Sequence, residues 1–100
     1  MTGKEDVIMP VSVYIPTPFR RATANAARVD VDAGDVQQLL EQLEGRFEGL
    51  RGLVRDEQGQ VHHHVNVYVN GEEIGDLQGQ ATPLKAGDEV SIIPALAGGA

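Results

Sequence analysis

The residues of this chain best suited to chemistry are its last three, Gly98-Gly99-Ala100. Glycine has no Cβ, so a Gly-Gly segment is thin and takes backbone angles closed to other residues. Such a segment can enter a narrow active site, where its carbonyl is open to attack. Ala100 stands beyond the second glycine and holds that carbonyl carbon in an amide. Fully extended, Ala95 to Gly99 reach roughly 17 Å past Pro94. That is enough to put a carbonyl inside a partner's pocket while the folded body stays outside. The competing reading is a frayed end of small residues, which is common at termini. The apolar run Ile92-Ile93-Pro94 leading straight into the tail favours the functional one.

The other candidates carry less chemistry. In His62-His63-His64, neighbours on a strand point to opposite faces, so at most His62 and His64 share a side. Two imidazoles hold a metal only with a third ligand from elsewhere. The cluster reads as the solvent-facing entrance to a strand, and no metal site is expected. Most carboxylates fall on an exposed helix face or in turns. No Ser/His/Asp set has a nucleophile elbow around it, and no strand–GxGxxG–helix pattern cradles a phosphate. Four aromatics without tryptophan, Tyr14, Phe19, Phe47 and Tyr68, give little surface for stacking bases. No catalytic residue is expected, no cofactor is expected to bind, and an enzyme acting alone is not expected.

Composition narrows the partners. One hundred residues make one domain. The net charge is −7, from 15 acidic and 8 basic residues, and only Arg20-Arg21 are adjacent among the latter. A binder of phosphate backbones carries a basic patch, so nucleic acid is not expected as a partner. The acidity suits partners with a basic docking face, and equally serves solubility. There is no cysteine, so any sulfur chemistry must ride on another group. No apolar run approaches a membrane span, and Met1 to Asp6 lacks a signal-peptide stretch. The expected site is cytoplasmic, with no membrane partner.

Five or six elements must position the tail. Val11, Val13 and Ile15 alternate with Ser12 and Tyr14, which is a strand with one buried face, ended by Pro16-Thr17-Pro18. Phe19 to Ala26 reads as a loop. Arg28 to Asp32 alternates again and pairs with the first strand as a hairpin. Asp35 is an N-cap, and Val36, Leu39, Leu40, Leu43 and Phe47 follow at helical spacing. The helix is expected to end between Arg46 and Gly49. Leu50, Leu53 and Val54 read as a short turn tucked onto the core, and Arg55 to Gln60 as a turn. Val65 to Val69 is the clearest strand and runs into the tight turn Asn70-Gly71. Glu72 to Ile74 is a short return strand, Gly75 to Ala81 a loop, and Thr82 to Asp88 a turn with Leu84 pointing inward. Glu89 to Pro94 is the last strand, with Val90 and Ile92 in the core. One helix must cover a mixed sheet of four to five strands, an α+β arrangement. The first and last strands lie side by side at its centre. The expected organisation is a disordered N-terminus over 1–8, a folded domain over 9–94 and a flexible tail over 95–100.

The pattern from Met9 to Gly99 resembles the ubiquitin-like sulfur carriers of the MoaD/ThiS family, which have the β-grasp fold and end in Gly-Gly. The resemblance is carried by Val11-Ser12-Val13-Tyr14-Ile15-Pro16-Thr17, Val65-Asn66-Val67-Tyr68-Val69-Asn70-Gly71, Leu84-Lys85-Ala86-Gly87-Asp88-Glu89-Val90 and Ile93-Pro94-Ala95-Leu96-Ala97-Gly98-Gly99. Within the family, the opening, the His before Val65 and the Pro-Ala-Leu-Ala-Gly-Gly ending are most similar to the CysO-type carriers that feed cysteine synthesis. The resemblance implies that an E1-like adenylating enzyme, using ATP, activates Gly99 for thiocarboxylation. It implies a sulfur acceptor, a pyridoxal-phosphate-dependent cysteine synthase on the cysteine route, with thiamin or molybdopterin routes as alternatives. It also implies a JAMM-type metalloprotease, which removes Ala100 before activation and releases the product later.

Two other functions remain open: a protein modifier joined to lysines through Gly99, and an interaction domain with an inert tail. Ubiquitin-like domains meet partners through the sheet face away from the helix, so Tyr14, Tyr68, Ile93 and Pro94 are the docking candidates. Tyr68 has a competing reading as a packed edge residue. Gly98, Ala97, Leu96 and Ala95 would thread the partner's channel, with Leu96 as the anchor, because burying an apolar side chain contributes about 1.5–3 kcal/mol.

Overall fold

The computed structural model describes residues 10–94. The expectations for residues 1–8 and 95–100 lie outside that range. Within it, β1 (Val11–Tyr14), β2 (Arg28–Val31), α1 (Val36–Arg46), β3 (Val65–Val69), β4 (Glu72–Glu73) and β5 (Glu89–Pro94) follow in order. The five strands form one mixed sheet in the order β2-β1-β5-β3-β4. β1 and β5 are parallel neighbours at its centre, as expected of the first and last strands. All other pairings are antiparallel. With α1 on one face, this is the β-grasp arrangement.

Period-two alternation sends Val11, Val13, Val29, Val31, Val65, Val67, Val69, Val90 and Ile92 to the same side. There they meet Val36, Leu39, Leu40 and Leu43 of α1, all buried. The helix starts where the period changes. The Asp35 carboxylate accepts the Gln38 N–H at 2.8 Å, satisfying a donor the first turn leaves free. It ends at Arg46, inside the expected window, although Gly45 costs the last turn some stability. Asn70 and Gly71 have φ of +52° and +89°, the left-handed pair that a two-residue hairpin turn requires.

Three stretches differ from expectation. Thr17–Thr23, expected as loop, is a 3-10 helix that buries Phe19 and Thr23. Pro16-Thr17-Pro18 hid it, because prolines preset φ at a helix start as readily as they end a strand. Leu50 and Val54 are buried, but Leu53 is 39 % exposed and does not join the core. The return strand stops at Glu73, since Ile74–Asp76 tightens into a 3-10 turn with Ile74 buried, and Gly79–Ala81 forms another. Leu84 is buried as expected.

Candidate functional site

The site is the end of the sheet from which the tail departs. β5 is held on both sides. Ser91 lies opposite Tyr14 of β1 and opposite Tyr68 of β3, and the β3 pairing continues through Asn66↔Ile93 to Val65↔Pro94. Val90 and Ile92, with at most 1 % exposure, fasten the strand to the core. The chain therefore leaves from a fixed base at Pro94. The residues expected to react or thread, Ala95, Leu96, Ala97, Gly98, Gly99 and Ala100, lie outside the described residues.

Three of the four docking candidates, Tyr14, Tyr68 and Ile93, share the open face, whereas Pro94 lies opposite the core residue Val65 on the helix side of the sheet. Tyr14 and Ile93 are 36 % and 37 % exposed, while Tyr68 and Pro94 are half-buried. The registers set a straight row across the sheet: Arg28, Tyr14, Ser91, Tyr68, Glu73. Tyr68 is consequently not an edge residue, since β3 is paired on both sides at that position. Ile93 sits one step nearer the exit, opposite Asn66.

Arg20, noted in the sequence only as half of the one adjacent basic pair, completes this face. Its Nε donates to the Ile15 carbonyl at 3.0 Å and its Nη2 to the Tyr14 hydroxyl at 3.2 Å. Its guanidinium carbon lies 5.7 Å from the centre of the Tyr14 ring, a cation–π distance. The arrangement depends on the unexpected 3-10 helix, so alternation in β1 alone gives no sign of it. Arg28 was legible in principle, because hairpin register places it opposite Tyr14.

The histidines stand in a turn rather than on a strand: the Val65 N–H closes it on the His62 carbonyl at 3.0 Å. His62 and His64 do share a side, with stacked rings 4.9 Å apart, and a ring nitrogen of His62 meets the Gly52 carbonyl at 3.0 Å. Among the described residues no three His, Asp or Glu side chains converge as a metal site. A cleft of about 370 Å³ near the start of β3 is lined by Gln60, His62, Glu73 and Gln80. Gln80 there serves the backbone, accepting from Val61 N–H and donating to the Gly59 carbonyl, both at 3.0 Å. No helix among the described residues is long and apolar enough to cross a membrane.

A β-grasp body that holds its last strand at mid-sheet and releases a Gly-Gly tail defines a ubiquitin-like carrier class. The ThiS family model matches residues 13–99, and the chain belongs to that family. It is similar to the sulfur carrier protein CysO of Mycobacterium tuberculosis, 36 % identical over 93 residues, covering 91 % of this chain and all of that one. It is 49 % identical over 73 residues to small archaeal modifier protein 3 of Haloferax volcanii, covering 72 % of this chain and 76 % of that protein. A chain in the crystal structure of the Amycolatopsis orientalis BexX/CysO complex superposes with a TM-score of 0.82 at 33 % identity, covering 88 % of this chain and 98 % of that one. This chain is accordingly a ubiquitin-like protein of the sulfur-carrier type, a class of small substrate carriers and not enzymes.

Proposed function

We propose that this protein carries sulfur as a thiocarboxylate on Gly99 and delivers it to cysteine synthesis. The observation that carries the reading is the fixed base of the tail, β5 paired on both sides through Ser91 and with β3 as far as Pro94, together with a family match that ends on Gly99. The Gly99 carboxylate attacks the α-phosphorus of ATP on an E1-like adenylating/sulfurtransferase enzyme, and pyrophosphate leaves. Sulfide, or a persulfide with a reductant, then attacks the acyl carbon and displaces AMP. The protein supplies the acyl group, and ATP belongs to its enzyme. A base already held in the sheet as far as Pro94 needs no ordering when the carrier docks, which limits the entropic cost of reaching the active site.

The cysteine route is favoured by the likeness to CysO, with a pyridoxal-phosphate-dependent synthase as acceptor. A carboxylate at Gly99 requires that the chain be cut before Ala100, which assigns a JAMM-type metalloprotease to that step. Use of ATP fits a cytoplasmic setting. The test is isotopic. Thiocarboxylate made with labelled sulfide is given to the cysteine synthase and its activated serine substrate. The product forms on the carrier, so the metalloprotease is then added: label released as cysteine supports the route, and label that stays on the carrier as thiocarboxylate contradicts it.

A second reading, conjugation of Gly99 to target lysines, is favoured by the likeness to a small archaeal modifier protein. It predicts high-mass conjugates in cells that vanish when Gly98 and Gly99 are deleted.

A further inference from the structure

The charge on the open face is divided. Of the chain's 8 basic residues, Arg20 and Arg28 meet at Tyr14, toward the end of the sheet where β5 finishes, and Arg21 shares a groove with Arg20. Arg28 lies directly across from Tyr14, and Arg20 covers the Tyr14 ring. Arg20 and Arg21 line a shallow groove with Thr17, Pro18 and Asn25. The remainder of the face is acidic. Asp30 and Glu89 flank Ser12 in the row farther from the exit, and Glu73 ends the Tyr14 row on the opposite edge. A body of net charge −7 therefore presents one cationic corner, at the same end of the sheet as Pro94.

We propose that the Tyr14–Arg20–Arg21–Arg28 corner docks acidic side chains bordering the catalytic opening of the adenylating enzyme, and so sets the direction in which the tail enters. The inference rests on the sulfur-carrier reading. The chemistry favours carboxylates: a guanidinium offers a planar fork that matches them in paired hydrogen bonds, and Tyr14 supplies apolar area beside it. Arg20 is held in place before binding by Ile15 and Tyr14, so less side-chain freedom is lost on contact. The acidic half supplies discrimination, because a partner seated half a turn round would set its carboxylates against Asp30 and Glu89. The division thus acts on encounter and orientation more than on the depth of the final complex.

The test uses chain ending at Gly99 and the adenylating enzyme of the same organism, with pyrophosphate release as readout. Arg20 is left intact because it also ties the 3-10 helix to β1. The double variant Arg21→Glu/Arg28→Glu should raise KM for the carrier about tenfold at low ionic strength and leave kcat unchanged, and added salt should shrink the difference. The variant Arg46→Glu/Lys85→Glu changes net charge equally but lies at the helix C-terminus and in the loop before β5. Its KM should stay within about twofold of wild type. Thermal melts confirm that both variants fold. Equal KM shifts in the two variants, or no shift in the first, overturn the inference while leaving the carrier reading intact. A salt-sensitive dimer of the free carrier that Arg21→Glu/Arg28→Glu dissolves, with KM unchanged, makes a second copy the occupant and also overturns it. No pyrophosphate release from wild type sinks the carrier reading and this inference together.

Discussion

The two ends of the sheet are built for different tasks. At the end far from the tail, polar groups close on one another. Asp88 accepts the Lys85 N–H at 2.8 Å and the Asn70 amide at 3.0 Å, and Asn70 in turn accepts the Glu89 N–H at 3.0 Å. The β1 strand is tied in through the Ser12 N–H to the Asp88 carbonyl at 3.0 Å. The helix start is tied in by the Val36 N–H to the Thr82 carbonyl and the Leu84 N–H to the Gly34 carbonyl. At the exit end β5 beyond Ser91 pairs with β3 but no longer with β1, and aromatic and cationic side chains face outward. The hydrogen-bonded closure and the outward-facing aromatic and cationic side chains are therefore separated along the length of the same five strands.

That contrast predicts a double dissociation: changes at the far end should cost stability and spare transfer, and changes at the exit face the reverse. The largest expected effect is Leu84→Ala, which empties a buried anchor under the far-end loop and should cost about 2–4 kcal/mol in chemical denaturation. Adenylation of the folded fraction should not change. A matching loss of kcat/KM would break the contrast.

Next comes Glu44→Ala. The Glu44–Arg55 pair is bidentate, with 2.8 and 3.0 Å bonds, and both side chains are largely shielded, at 16 % and 12 % exposure. It straps the loop after α1 to the helix. Bonding to Glu44 raises the Arg55 pKa, so the guanidinium stays charged and would be left unpaired in a half-dry site. The expected cost is about 1–3 kcal/mol, and a neutral result would show that water serves Arg55 equally well.

A smaller effect attaches to Asp88. Bonding to the Lys85 N–H, then to Asn70, lowers its pKa below the ordinary 3.8. A folded-state pKa depressed in this way contributes stability that is complete above the unfolded value and disappears as pH falls through the folded one. Asp88→Asn should therefore lower Tm at neutral pH and differ little from wild type in strong acid. A gap that persists in acid would show that the hydrogen bonds, not the charge, do the work. The smallest stability change is expected at the exit face. Ile93→Ser should shift stability by less than about 0.5 kcal/mol yet weaken the adenylating enzyme's hold on the carrier. Unaltered affinity would remove Ile93 from the docking surface.

The sequence made the far end readable and left the exit end partly hidden. Strand alternation, the Asp35 cap and Asn70-Gly71 each act within a few residues, so β1, β2, α1, β3 and β5 follow from local pattern, whereas the central β1–β5 pairing follows from the element order. The docking face was half legible for the same reason: Tyr14, Tyr68 and Ile93 alternate with core valines and isoleucines. What escaped was the 3-10 helix over Thr17–Thr23. Its only apolar anchor is Phe19, too little for a periodic signal, and its flanking prolines suit a loop as well. With that helix went Arg20, whose place over Tyr14 depends on it, and Leu53, whose outward position depends on how the chain after α1 packs against it. The reactive residues were named from the tail's chemistry and from family likeness, and they lie past the last described residue.

The most direct test of the account is the intact mass of chain ending at Gly99 after incubation with the adenylating enzyme, ATP and sulfide. The predicted result is a gain equal to replacing one oxygen by sulfur, carried on the C-terminal fragment and absent when the chain still ends in Ala100. An unchanged mass, or the same gain with Ala100 in place, would contradict the claim that Gly99 carries the sulfur.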